Sequence, residues 1–206
     1  MAVAIAYETH STSTDNETGI ATGWLPRRLS TAGRRLAREL GRRRRDGDLA
    51  VIFTSDLARA VETARLAFDH GMPIVQDARL RECNYGALNG MSVARLAAER
   101  ARHIDTPFPG GQSYRQVVAA MGGFLRDLAR DWDGRNVLIV AHSANRWALE
   151  VLLAGATLET SVDVPFAWQE GWRYTLPADW GEADAARAGE SKGTRSIGVA
   201  TATPRK

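Results

Sequence analysis

Three short apolar runs, "AVAIAY" (2–7), "LAVIFTS" (49–55) and "NVLIVAHS" (136–143), constrain the fold of this chain more than any other feature. Each is strand-length and continuously apolar, as expected of a strand buried on both faces. Helical patterns lie between them. "LSTAGRRLARELGRR" starts at Ser30, a residue type that caps helix N-termini, and places Leu36, Ala37 and Leu40 on one face. "DLARAVETARLAFDHG" reads as a helix ending at Gly71, and "PIVQDARL" (73–80) as a third strand. The loop-rich "RECNYGALNGMS" leads to a helix at about 92–102, and "PFPGGQS" is a break. Tyr114, Val117, Val118, Met121, Leu125 and Leu128 recur at spacings that predict a long amphipathic helix. "ANRWALEVLLAG" reads as the helix after the 136–143 strand, and "DVPFAWQEGWRYTLP" as one or two edge strands. Strands alternating with helices predict an α/β three-layer sandwich, a mostly parallel sheet with helices on both faces.

Composition narrows what such a fold could serve. A length of 206 residues suits one domain over 1–180, with an Ala-, Gly-, Ser- and Thr-rich tail over 181–206 expected to be disordered. No internal repeat is visible. No apolar run approaches the roughly 20 residues that span a bilayer, and "MAVAIAYETH" lacks the pattern of a secretory signal, so no membrane partner is expected. A lone cysteine, Cys83, excludes an internal disulfide and suits a cytoplasmic protein, where it reads as a small buried filler. Net charge is only +3. The basic cluster "GRRLARELGRRRRDGD", with its Arg42–Arg45 run, lacks interleaved aromatics. It reads as the solvated face of an amphipathic helix, and no nucleic-acid partner is expected.

In parallel α/β sheets, ligands bind beyond the carboxyl ends of the strands. His10 directly follows the first strand and His142 the strand at 136–141, two of only four histidines. Thr54, Ser55 and Arg59 lie at the end of the second strand and one turn into the next helix, and Glu82 follows the third. Two imidazoles, a guanidinium and a carboxyl, with Asn16 nearby, would therefore converge on one edge. His70 and His103 lie outside these segments, and no cysteine accompanies the site histidines at metal-ligand spacing.

The order of these motifs resembles the histidine phosphatase superfamily, or phosphoglycerate mutase-like fold. His10, Asn16, Gly23 and Trp24 match its first segment, followed by "LSTAGRRLA", "FTSDLARAVETA", "LRECNYGALNGMS", "PFPGGQS" and "VLIVAHS". The matches run from residue 3 to about 155. The resemblance implies a phosphomonoester hydrolase for a small phosphorylated metabolite, with no cofactor and no metal. His10 would attack phosphorus to form a phosphohistidine, and Glu82 would act as general acid and then base. Arg59 would hold phosphate through its planar fork. His142, if protonated, would stabilise the transferring group, and Asn16 would donate a neutral hydrogen bond. Thr9, Ser11 and Ser143 would complete the phosphate-binding set. A homodimer is compatible with this reading.

The triplet is Thr9-His10-Ser11 where the family carries Arg-His-Gly, and Ser143 replaces the glycine after the second histidine. Losing one preorganised donor typically lowers rate about 10²–10³-fold. Three explanations stay open: a phosphatase in which hydroxyls or Arg27, Arg28 or Arg146 compensate; a site retuned for another reaction or for a substrate carrying its own cation; and a phospho-ligand-binding protein without turnover. A mutase is a branch of the first, but the segment between Gly90 and Gly110 is short for a water-excluding closure, favouring hydrolysis. Ser11–Thr14 and the region Trp168–Trp172 are candidate walls of the substrate pocket.

Overall fold

The computed structural model describes residues 1–181 except 46, 69, 70, 165, 166 and 168, so the 182–206 part of the expected tail, His70 and Trp168 lie outside the described residues. Its elements run β1 (Val3–Thr9), α1 (Thr14–Glu17), β2 (Ile20–Ala21), α2 (Thr31–Arg44), β3 (Val51–Thr54), α3 (Ala58–Ala67), β4 (Ile74–Gln76), β5 (Met91–Ser92), α4 (Val93–Glu99), α5 (Tyr114–Asp131), β6 (Asn136–Ala141), α6 (Ser143–Leu153), α7 (Leu158–Asp163) and β7 (Trp172–Leu176). Five strands form a sheet in the order β4-β3-β6-β1-β7, parallel except for β7, which runs antiparallel to β1 at one edge.

Period-two alternation along β6 explains why helices must cover both faces. Val137, Ile139 and Ala141 pack with Met121 and Leu125 of α5 and Leu149 of α6. Leu138 and Val140 turn the other way, onto Ile52 and Ala64. All are fully buried, each larger aliphatic side chain contributing about 1.5–3 kcal/mol by leaving water. Helix α2 packs outside α3, at a close approach that needs glycine. A Cβ on Gly41 would lie 2.0 Å from the Ala67 carbonyl oxygen.

The α2 arginines find acids within the protein. Arg34 pairs with Glu62, and Arg35 and Arg42 share Glu39. Arg44 reaches the buried Glu8 at 2.8 Å, tying the end of α2 to β1. The exposed pairs are worth about 0–1 kcal/mol each.

Several elements depart from expectation. The third strand stops at Gln76, because the Asp77 side chain accepts from the Arg79 amide and starts a 3₁₀ turn over Ala78–Leu80. The helix expected at 92–102 is α4 followed by a 3₁₀ turn at Arg100–His103. The short α1 arises from a capping box between Ser13 and Asn16. β2 and β5 pair as a separate two-stranded sheet, and α7 precedes a single edge strand. A third apolar cluster, including Cys83, Tyr85, Leu96, Phe108, Tyr114 and Trp147, caps the carboxyl edge of the main sheet. Cys83 is fully buried in it. No described helix is long and apolar enough to cross a membrane.

Candidate active site

Register places the site. Thr9 stands opposite Ala141 across the parallel β1–β6 pair, so the two strands end level. The His10 amide then bonds the Ala141 carbonyl at 2.9 Å. His10 and His142 thus leave the sheet side by side, their ring centroids 5.0 Å apart. The third participant comes from α3, whose first turn carries Arg59, 2% exposed.

Arg59 joins the two rings. Its Nε donates to His10 Nε2 at 3.2 Å. Its Nη2 donates to the Gly23 carbonyl at 2.8 Å and lies 3.3 Å from His142 Nδ1. Nη1 is buried with no partner, a rare state for so polar an atom and one suited to an incoming anion. Gly23 has a left-handed backbone (φ 54°), and a Cβ there would lie 1.8 Å from Asn89 Oδ1, so glycine is needed to aim this carbonyl.

The hydrogen bonds define the tautomers. His10 Nδ1 donates to the Ser11 carbonyl at 2.8 Å, leaving the lone pair on Nε2. His142 accepts at Nδ1, so its Nε2 carries the proton toward Ser55 Oγ, 2.7 Å away. Burial and the Arg59 charge hold His10 down to about 3 and His142 well below its ordinary value. His142 Nδ1 thus faces Arg59 as an acceptor, the form in which the ring is neutral.

Glu82 stands on the other side. It is 8% exposed, and burial raises its pKa against the pull of the Cys83 amide, Arg59 and the Ala144 amide. Its Oε1 accepts from the Cys83 amide at 2.8 Å. The loop carrying it is tied down by Trp24 Nε1, which donates to the Glu82 carbonyl, and by Asn145 Nδ2, which donates to the Arg81 carbonyl. Arg81 lies over the Trp24 ring at 4.5 Å and pairs with Asp56.

The remaining candidates are placed differently. Thr9 ends β1 half-buried and shows no side-chain hydrogen bond. Ser11 acts through its backbone: its carbonyl takes the His10 proton and its amide donates to Thr63 Oγ1 at 3.0 Å. Ser143 opens α6 with no side-chain partner. Asn16 is exposed, and its carboxamide oxygen accepts from the Ser13 amide and hydroxyl in the α1 cap, which fixes the side chain by its acceptor and leaves Nδ2, the expected donor, uncommitted among the described residues. Arg27 is paired with Asp15, Arg28 approaches Glu62, and Arg146 pairs with Glu150 across the Trp172 ring. No arginine takes the place that Thr9 leaves among the described contacts.

Three groups went without a role in the sequence reading: the Ser55 hydroxyl on His142, the Thr63 hydroxyl joining the Ser11 amide to the Arg59 carbonyl, and the Tyr7 hydroxyl, which donates to the His142 carbonyl. A signal existed for two of them. Thr63 follows Arg59 by four residues within α3, the spacing that stacks side chains on one helical face, and Ser55 directly follows β3.

Comparison with known proteins agrees with this geometry. Residues 9–168 match the family model described as Histidine phosphatase superfamily (branch 1). A 2,3-bisphosphoglycerate-dependent phosphoglycerate mutase from Methylobacterium sp. (strain 4-46) is 34% identical over 73% of this chain and 80% of its own length. Among solved structures, Bacillus stearothermophilus YhfR superposes with a TM-score of 0.73 at 26% identity, covering 82% of this chain and 88% of that one. A mycobacterial glucosyl-3-phosphoglycerate phosphatase gives 0.67 at 26% identity, covering 80% and 85%. With its paired histidines at the level ends of β1 and β6, this chain belongs to the histidine phosphatase superfamily, a family of phosphoryl-transfer enzymes.

Proposed function

We propose that the protein hydrolyses a phosphomonoester of a small metabolite through a phosphohistidine on His10, without a metal or other cofactor. The observation that carries this reading is the buried Arg59 guanidinium, held between two acceptor imidazoles with Nη1 unspent. On substrate binding, Arg59 turns donors from the rings to phosphate oxygens, which frees the His10 Nε2 lone pair. A bond forms between Nε2 and phosphorus as the bond from phosphorus to the leaving oxygen breaks. Glu82, whose pKa is raised by burial, gives that oxygen its proton. Water then attacks phosphorus while Glu82 recovers a proton, and breaking the P–N bond restores neutral His10. Throughout, Nδ1–H remains on the Ser11 carbonyl.

Release of phosphate from an aryl phosphate, a ³²P label on the denatured protein that survives alkali and is lost in acid, and loss of both in His10→Ala would test it. Turnover with no label, or activity retained in His10→Ala, would exclude the mechanism. The mutase relative supports a second reading, transfer of the phosphoryl group back to substrate. Interconversion of phosphoglycerates without free phosphate would establish that instead. The short 91–103 segment, made of β5, α4 and one 3₁₀ turn, favours water as the acceptor.

A further inference from the structure

We propose that the site takes its phosphoryl ligand as the singly charged anion, the proton left on the phosphate being shared with His142 Nδ1. The inference rests on the phosphomonoesterase reading for the identity of the ligand.

Charge supplies the first argument. Among the described residues, Arg59 is the one cation hydrogen-bonded to either ring. The neighbouring arginines 27, 81 and 146 each already face a carboxylate, Asp15, Asp56 and Glu150. A monoanion beside Arg59 makes a neutral pair. A dianion leaves one buried negative charge without compensation, which is the costly case in a desolvated site.

Hydrogen-bond polarity supplies the second. Both ring nitrogens that face Arg59 are acceptors, because a guanidinium only donates. Once Arg59 turns to the phosphate, His10 Nε2 is consumed by attack, and His142 Nδ1 is left needing a donor. A P–OH provides one, whereas a fully ionised oxygen would set two lone pairs against each other. The Ser55 hydroxyl, 2.7 Å from the far nitrogen, can accept the proton that this tautomer places there.

The titratable and charged groups facing Arg59 are His10 from β1, His142 at the head of α6, Glu82 and Tyr85 from the 81–85 loop, and Asp15 from α1. Asp15 is satisfied by Thr22 and Arg27. Burial holds Tyr85 neutral. Glu82, which also senses Arg100, is the remaining group able to imitate a ligand ionisation, and it needs its own control.

Calorimetric titration of the full-length protein with inorganic phosphate and with sulfate, between pH 5 and 8, tests the proposal without requiring turnover. Phosphate affinity is expected to weaken about tenfold per pH unit above the second ionisation of phosphate. Sulfate, doubly charged throughout, is expected to bind at least about tenfold more weakly than phosphate at pH 5. Glu82→Gln should keep the slope, and Thr9→Arg, which adds a cation at the end of β1, should flatten it and admit sulfate. A flat or rising phosphate affinity, equal binding of sulfate, a slope lost in Glu82→Gln, or no phosphate binding at any pH would each overturn it. A phosphatase with a flat profile would keep the proposed function and lose this inference, whereas a sloped profile without hydrolysis would do the reverse.

Discussion

The ends of β1 and β6 are hydrogen-bonded neighbours in register, yet they hold their histidines differently. β1 runs out into a loop, and His10 is half-buried, with one nitrogen tied to the adjacent Ser11 carbonyl and the other facing Arg59 alone. β6 runs straight into α6. His142 is 1% exposed, its ring is held by Ser55 and Arg59, and its carbonyl is held by Tyr7. The first arrangement leaves a lone pair that can be uncovered by moving one side chain. The second fixes a ring from every side. The former suits the nucleophile proposed at His10 and the latter a positioning group, since environment, rather than residue type, sets what an imidazole can do.

Substitution at the two ends should therefore differ in kind. His10→Ala should lower phosphomonoester turnover by about 10⁴-fold or more and abolish the alkali-stable label, as expected when the nucleophile itself is removed. A loss no larger than that of His142→Ala would erase the distinction. Glu82→Gln should cost about 10²–10⁴ on alkyl phosphates and far less on aryl phosphates with good leaving groups. Because burial raises the Glu82 pKa, the wild-type rate should fall as pH rises through that raised value, and Glu82→Gln should lose this alkaline limb. An equal effect on both substrate types would deny Glu82 the role of acid.

Ser55→Ala should be milder, about tenfold in kcat with a smaller change in KM, the equivalent of roughly one lost net hydrogen bond. It removes the hydrogen bond at His142 Nε2, so Ser55→Thr should restore most of the rate. The smallest effect is on stability. The His10 pKa is about 3 in the folded chain against 6.5 for the free side chain, and His142 is shifted the same way. Between those values the unfolded chain binds protons that the folded chain refuses, so stability should fall as pH drops from about 6.5 toward 3. His10→Gln should make urea midpoints less steep with pH over that window, and an unchanged slope would show that His10 is not held neutral.

Much of the fold was legible because strand and helix periodicity is a local property. "NVLIVAHS" could be read as a strand buried on both faces, and "YRQVVAAMGGFLRDLA" as a helix, from their residues alone. The convergence of His10, Arg59, Glu82 and His142 was legible too, since each follows a strand end and parallel strands end on the same edge. What the sequence reading of Asn16 lacked was its local anchor, a capping box with Ser13 that holds the carboxamide by its oxygen. β4 was read too long because the Asp77 side chain competes with the ladder.

By itself, the sequence determined the alternation of elements, the edge on which chemistry could gather, and the residue types available there. Tertiary structure alone decided which nitrogen of each histidine faces a donor, that burial pushes His142 toward its neutral form, and that it raises the Glu82 pKa. Those properties depend on partners distant along the chain, such as Ser55 and His142, 87 residues apart. They also depend on how completely packing excludes water, and neither is written in a local pattern.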